Sequence, residues 1–384
     1  MKKKGVAVFA IAFPIWAALI LTGCRPAAGP KASLVFFPAP PDEPRLQFLT
    51  SFSSPADLGK AQNHSWENFI LGAPNESSAI GKPYGAALHK GKIYVCDLEA
   101  KKIEVLDLVS GSFADFSQNK YLKNPISIAI DAEGRKFITD SGADVVYVFD
   151  EADGPLTILG KGLDWRPLDI AVEGDRCYIT DSKNQEIAVM NWKTGQVEQH
   201  IGKGRQSADS ELGPSDFITA TGITLDREGN NYLTDMFSGK VLVFNRRGEF
   251  VRTISRRGDQ AGELMRPKGI AVDLAGRCWV VDAGPAEAVK IYNEKGEFLM
   301  YLGTSGNEAG KMNLPAKIAL DYDHLQLFRK YAAPGAELEF LVLVTNQYGP
   351  HKVSVYGFGK FPGQADRGFA PPAAADPANQ SPKK

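Results

Sequence analysis

One pattern recurs along most of this chain, and a chain that repeats at a fixed spacing can only bury a core by stacking like units. The clearest copy runs from Arg266 to Gly303, RPKGIAVDLAGRCWVVDAGPAEAVKIYNEKGEFLMYLG. It holds four strand signals, Gly269 to Asp273, Cys278 to Asp282, Val289 to Tyr292 and Glu297 to Leu302, separated by short polar turns. The same order starts at Lys82, Asn124, Arg166 and Thr219, and a degenerate sixth copy starts at Leu314 with an insertion around Tyr322 to Glu337. The opening prolines are Pro83, Pro125, Pro167, Pro267 and Pro315, with Ala220 in the equivalent place. Six units of four strands, spaced by about 40 to 50 residues, are what a propeller blade requires. Runs such as IAVD are continuously apolar, which suits inner strands covered on both sides by neighbouring blades. The second and third strands are rich in β-branched and aromatic residues, as pleated, half-buried surfaces favour.

The ends of the pattern predict how the ring closes. The sixth copy finishes with its third strand, VSVYG, whereas RLQFLTSF, Arg45 to Phe52, has fourth-strand character and no first three strands before it. The expected fold is therefore an all-β, six-bladed propeller in which this N-terminal strand completes the last blade and removes an exposed edge.

The motif P-x-G-I-A-x-D, then a strand ending in Asp, then V-x-V-F-D/N and G-x-F, resembles the NHL repeat over about residues 45 to 358. That resemblance implies a six-bladed propeller. Some propellers related to this type are enzymes: amidating lyases hold zinc on histidines at the axis, and lactonases hold calcium with carboxylate and amide groups.

The start of the chain reads as an address. Lys2, Lys3 and Lys4 precede an apolar run from Val6 to Leu21, interrupted by Pro14 and short for a spanning helix. It ends in Leu21-Thr22-Gly23-Cys24, which resembles a bacterial lipobox. The resemblance implies cleavage before Cys24, a diacylglycerol on its sulfur and an acylated amine, so that lipid alone anchors the chain. Arg25, where Asp often marks inner-membrane retention in such lipoproteins, favours the outer membrane. The expected parts are a leader over 1–23, a Pro-rich tether over 24–44, the propeller over 45–360 and a disordered tail over 361–384. Six prolines lie between Cys24 and Arg45, and the cluster Leu34 to Phe37 within that stretch is expected to pack on the propeller side.

Charge narrows the partners. The chain has 44 Lys and Arg against 45 Asp and Glu, and loss of the leader's three lysines leaves 41 against 45. Without a long basic run, nucleic acid is not an expected partner. After the leader, Cys96, Cys177 and Cys278 remain, none in a CxxC arrangement, and they read as small buried residues rather than metal or haem ligands.

In a propeller, the loops entering the first strands and those joining second to third strands open on one face around the axial channel. The candidate binding face therefore comprises Lys82, Tyr84, Asn124, Arg166, Asp169, Arg266, Lys268 and Lys317, with Ser127 and Thr221 beside them. Copies three and six lie opposite in a six-fold ring, so Asp169 and Lys317 are expected to face each other across a polar, mixed-charge mouth. The carboxylates ending the second strands, Asp97, Asp140, Asp181, Asp235 and Asp282, with Asn346 in the sixth copy, are read as turn-forming acceptors rather than metal ligands. The five histidines, His64, His89, His200, His324 and His351, are expected in loops or outer strands, none on an inner strand, which disfavours a zinc enzyme. No nucleophile elbow or phosphate loop is present.

The expected function is thus a lipid-anchored envelope module that binds a protein or polymer on the propeller face, with no cofactor beyond the lipid on Cys24 and no catalytic residue. Lipoproteins with such propellers resemble accessory subunits beside multihaem cytochromes and secretion machinery, which implies a protein partner of that class. A metal-dependent lactonase or lyase is the alternative.

Overall fold

The computed structural model describes residues 34–59, 79–202 and 213–362. The leader, the Cys24 lipid site, residues 24–33 of the tether, His64 and the tail from 363 lie outside the described residues.

The chain enters through β1 (Val35–Phe37) and β2 (Leu46–Phe52) and then lays down five four-stranded antiparallel sheets in sequence. Blade 1 holds β3 (Pro83–His89), β4 (Lys92–Asp97), β5 (Lys102–Asp107) and β6 (Ser112–Asp115). Blade 2 holds β7 (Pro125–Ile130), β8 (Lys136–Asp140), β9 (Val145–Phe149) and β10 (Pro155–Leu159). Blade 3 holds β11 (Pro167–Glu173), β12 (Arg176–Asp181), β13 (Glu186–Asn191) and β14 (Val197–Ile201). Blade 4 holds β15 (Ala220–Leu225), β16 (Asn231–Asp235), β17 (Lys240–Phe244) and β18 (Phe250–Ile254). Blade 5 holds β19 (Pro267–Val272), β20 (Cys278–Asp282), β21 (Ala288–Tyr292) and β22 (Phe298–Leu302).

The sixth sheet mixes both ends of the chain. From the inside out it runs β23 (Pro315–Asp321), β24 (Glu337–Asn346), β25 (Val353–Lys360), β2 and β1. The N-terminal strand thus closes the last blade, as the repeat implies. β2 runs antiparallel to β25 from Leu46 opposite Phe358 to Phe52 opposite Val353. Inner strands pack in ring order, and β23 meets β3 to complete the circle.

Two additions distinguish this blade. β1 adds a fifth strand from within the stretch read as tether, and Phe37 packs edge-on to Tyr356, with ring centroids 6.0 Å apart. The insertion folds into a single helical turn, α1 (Leu325–Phe328), whose Phe328 is buried beneath Phe52.

Burial is greatest in the middle of each blade: the second strands β8, β16 and β20 are buried along their whole length, whereas the outermost β10, β14 and β18 are largely exposed or half-buried, because an outermost strand has a neighbour on one edge only. The blades interlock through clusters that span them, such as Trp279, Val281 and Ile291 of blade 5 against Ile318, Phe340 and Tyr356 of blade 6. Cys96, Cys177 and Cys278 are unpaired and buried within such clusters. Burial pushes the Cys177 thiol up to about 12, which keeps it protonated and unreactive.

The repeat glycine has a steric cause. A Cβ on Gly85 would stand 2.6 Å from the Ser127 Cα of the next inner strand, and one on Gly269 would stand 2.7 Å from the Lys317 Cα. The third residue of each inner strand is where adjacent blades come closest.

Candidate functional site

At that crowded position three blades carry side chains instead of hydrogen: Ser127 in blade 2, Asp169 in blade 3 and Lys317 in blade 6. The Lys317 ammonium bonds to both carboxylate oxygens of Asp169 across the axis, and both groups are buried. Asp169 also accepts from Ser127 Oγ at 2.6 Å, from its neighbour's amide Ile170 N at 2.9 Å and from Ile223 N of blade 4 at 2.9 Å. One carboxylate therefore ties blades 2, 3, 4 and 6 together. Tyr84 of blade 1 stands close enough that burial first, and the Asp169 charge second, push its phenol well above the usual range.

Threonines stitch the same level. Thr139, Thr234 and Thr345 each precede the last residue of a second strand and donate to an inner-strand carbonyl of the next blade. The partners are Leu168 O at 2.9 Å, Lys268 O at 2.5 Å and Tyr84 O at 2.7 Å. The last of these spans the seam between blades 6 and 1.

The second-strand carboxylates spend their lone pairs locally. Asp97 accepts from the amides of Gly81, Lys82, Glu99 and Ala100, and Asp140 from those of Lys123, Asn124, Gly142 and Ala143. Asp181, Asp235 and Asp282 accept in the same way from Arg166, Thr219 and Arg266, and Asn346 accepts from Asn313 N. Each one joins the entry loop of its blade to the turn after the second strand. Among the described residues no three His, Cys, Asp or Glu side chains converge as a metal site.

One histidine stands where none was expected. His89 ends the inner strand β3, opposite Lys92, so it lies at the far end of the channel from the entry loops. His89 stands at the position that Asp131, Glu173, Asp226, Asp273 and Asp321 hold in the other blades, just before a tight turn at Lys90 and Gly91, both with positive φ. Burial first, and the Lys90 charge second, lower its pKa.

The mouth of the channel is built by blades 5, 6 and 1. Lys268 follows Pro267 on β19, is 6% exposed, and donates to Gln347 Oε1 at 3.3 Å. Lys82 lies over the exposed Tyr348 ring, 5.4 Å from its centroid, and Lys352 donates to Gly81 O and to Gln347 O. Arg266 is exposed beside them. Burial first, then Arg266 and Lys82, lower the Lys268 pKa to about 8 against a weaker opposing pull from Glu287. On the other side of the ring Arg166 is exposed and Asn124 Nδ2 donates to Ser141 Oγ at 2.9 Å. The structure thus brings Lys82, Arg266 and Lys268 together, sets Asp169 and Lys317 on each other, and leaves Arg166 and Asn124 apart from both groups. Gln347, Tyr348 and Lys352 belong to this mouth and were not singled out in the sequence. Their signal was position, since Gln347 and Tyr348 follow Asn346 in a turn that opens on this face.

The DUF5128 family model, described as a 6-bladed beta-propeller, matches residues 225–284. No curated protein matches the chain significantly. Among solved structures, a protein of unknown function from Bacteroides thetaiotaomicron is 16% identical, with a TM-score of 0.53 over 73% of this chain and 70% of that one. A gluconolactonase from Xanthomonas campestris is 14% identical, with a TM-score of 0.51 over 86% of this chain and 99% of that one. Virginiamycin B lyase from Staphylococcus aureus is 14% identical, with a TM-score of 0.49 over 72% of this chain and 82% of that one. Likeness at this identity concerns the fold. The family match, the two likenesses with TM-scores above 0.5 and the ring of six antiparallel sheets agree on one statement: the chain is a six-bladed β-propeller.

Proposed function

We propose that this chain is a lipid-anchored module of the cell envelope, built from NHL-type repeats, that docks a protein partner on the face around its channel mouth. The observation that carries the reading is the union of a closed axis and an open cationic rim. Lys317 supplies a positive charge to the axial carboxylate from within the protein, while Lys82, Arg266 and Lys268 gather above it with no carboxylate partner among the described residues. An electrostatic rim of one sign speeds and orients the docking of a partner of opposite sign.

The leader-like start and the lipobox-like Leu21 to Cys24 support an address outside the cytoplasm, with lipid as the hold on the outer membrane, and a partner beside multihaem cytochromes or secretion machinery fits that address. A lactonase or lyase role, suggested by the gluconolactonase likeness, requires an axial carboxylate that is open to a metal ion. The four donors around Asp169 weigh against it.

Face-specific photo-crosslinking in intact cells tests the reading. A photoreactive residue at the exposed Tyr348 of the mouth is expected to give a discrete adduct with one envelope protein, and the same residue at Leu274, an exposed position in the turn at the opposite face, is expected to give none. Adducts of equal yield from both positions, or from neither, would count against it.

A further inference from the structure

Four lysines are buried among the described residues: Lys136, Lys268, Lys290 and Lys317. Three of them have a carboxylate: Lys136 meets Asp153 at 2.8 Å, Lys290 meets Asp282 at 3.0 Å, and Lys317 meets Asp169. Lys268 has none. An ammonium removed from water without a counter-charge is costly, so such a group invites an anion. Its position makes the choice plain. The equivalent residues of blades 2 and 3 are Ile126 and Leu168, so the fold accepts an apolar side chain there.

The surroundings are arranged as donors. The Lys268 ammonium carries three protons and makes one long bond, to Gln347 Oε1. Because an ammonium can only donate, the oxygen of Gln347 must face it, and the Nε2 group is left as a donor with no acceptor among the described residues. The acid that acts on Lys268, Glu287, is engaged elsewhere: Oε1 accepts from Leu314 N at 2.9 Å and Oε2 from Ser305 Oγ at 2.7 Å. One residue further along the inner strands, the Asp169–Lys317 pair spans the axis, so a ligand enters from the mouth and stops there.

We infer that Lys268 and Gln347 form an oxyanion-binding site at the channel mouth, which takes a phosphate or carboxylate group of the docking partner while Lys82 and Arg266 engage its further negative charge. The inference rests on the reading of this face as the docking surface and names the chemistry that it recognises. Three cations make a doubly charged phosphate bind more tightly than a carboxylate.

Calorimetric titration of the full mature chain with inorganic phosphate, and separately with acetate, tests it. One phosphate per chain is expected, with acetate weaker. Lys268→Met should lose at least tenfold in phosphate affinity while melting at the same or a higher temperature than the parent in phosphate-free buffer, because it removes an uncompensated buried charge. A lysine with a merely structural role would lower that melting temperature. With sulfate, whose charge is constant, affinity should fall as pH rises past about 8, since an anion needs the charged ammonium of Lys268, which faces the charged groups of Arg266, Lys82 and Glu287. Phosphate bound equally by the parent and Lys268→Met, or by neither, overturns the site. If Lys268→Met does not fold, Gln347→Leu serves instead, with about tenfold weaker binding expected and unchanged binding contradicting it. Absence of phosphate binding by the parent with the Tyr348 crosslink still formed would remove this site and leave the docking face standing.

Discussion

A chain shortened to begin at Ser53 is expected to lose its cooperative melting transition and to aggregate. The missing strand β2 carries Leu46, Leu49 and Phe52, all buried in the clusters on either side of blade 6. Full burial of such side chains contributes about 1.5 to 3 kcal/mol each, so three of them match much of the roughly 5 to 15 kcal/mol by which a whole domain is stable. The strand also carries Gln47, wholly buried, which donates to Tyr331 O at 3.0 Å and accepts from Ala333 N at 2.8 Å, fixing the insertion of the sixth copy. Without β2 the edge of β25 lies open to pairing with other chains. Circular dichroism melts check this, and Leu46→Ala alone should cost about 2 to 5 kcal/mol in denaturant titration. A truncated chain that melts like the parent would mean that the ring does not depend on its seam.

The second large effect sits on the axis. Asp169→Ala should destabilise the propeller by about 3 to 5 kcal/mol, because it strands a buried ammonium. It also leaves Ser127 Oγ and Ile223 N without their acceptor. Lys317→Met should cost less, since the carboxylate then keeps three of its donors. The double variant Asp169→Ala with Lys317→Met, in which no ammonium is stranded, should lose clearly less than the sum of the two single losses, giving a coupling that denaturant melts of the four proteins measure directly. Equal, additive losses would show that the two groups do not act on each other.

The architecture was legible because it rests on local signals that nearly every copy repeats. An opening proline, an apolar inner strand and a closing Asp each mark a position, and the orphan segment Arg45 to Phe52 could only be the strand that the sixth copy lacks. The same arithmetic set Asp169 and Lys317 on opposite blades. Spacing alone gives no depth, however. It could not show that these two withdraw onto each other and leave the rim to Lys82, Arg266 and Lys268. The strand Val35–Phe37 was hidden because it is only three residues long and is followed by prolines that read as linker, although Phe37 finds Tyr356. His89 was misplaced because it takes the closing position of an inner strand, where the other blades carry Asp or Glu, so the pattern there reads as a turn. Gln347 and Tyr348 sit in the most degenerate copy, where no pattern drew notice to them.

Reversal of the rim charges tests most directly whether the cationic mouth is the docking surface. With the photoreactive residue at the exposed Tyr348, the adduct formed in cells should fall at least tenfold, about 1.4 kcal/mol, when Lys82→Glu and Arg266→Glu are introduced together. The melting temperature should stay within a few degrees, since both side chains lie at the surface of the mouth. An adduct of unchanged yield on the reversed rim would contradict the assignment of this face.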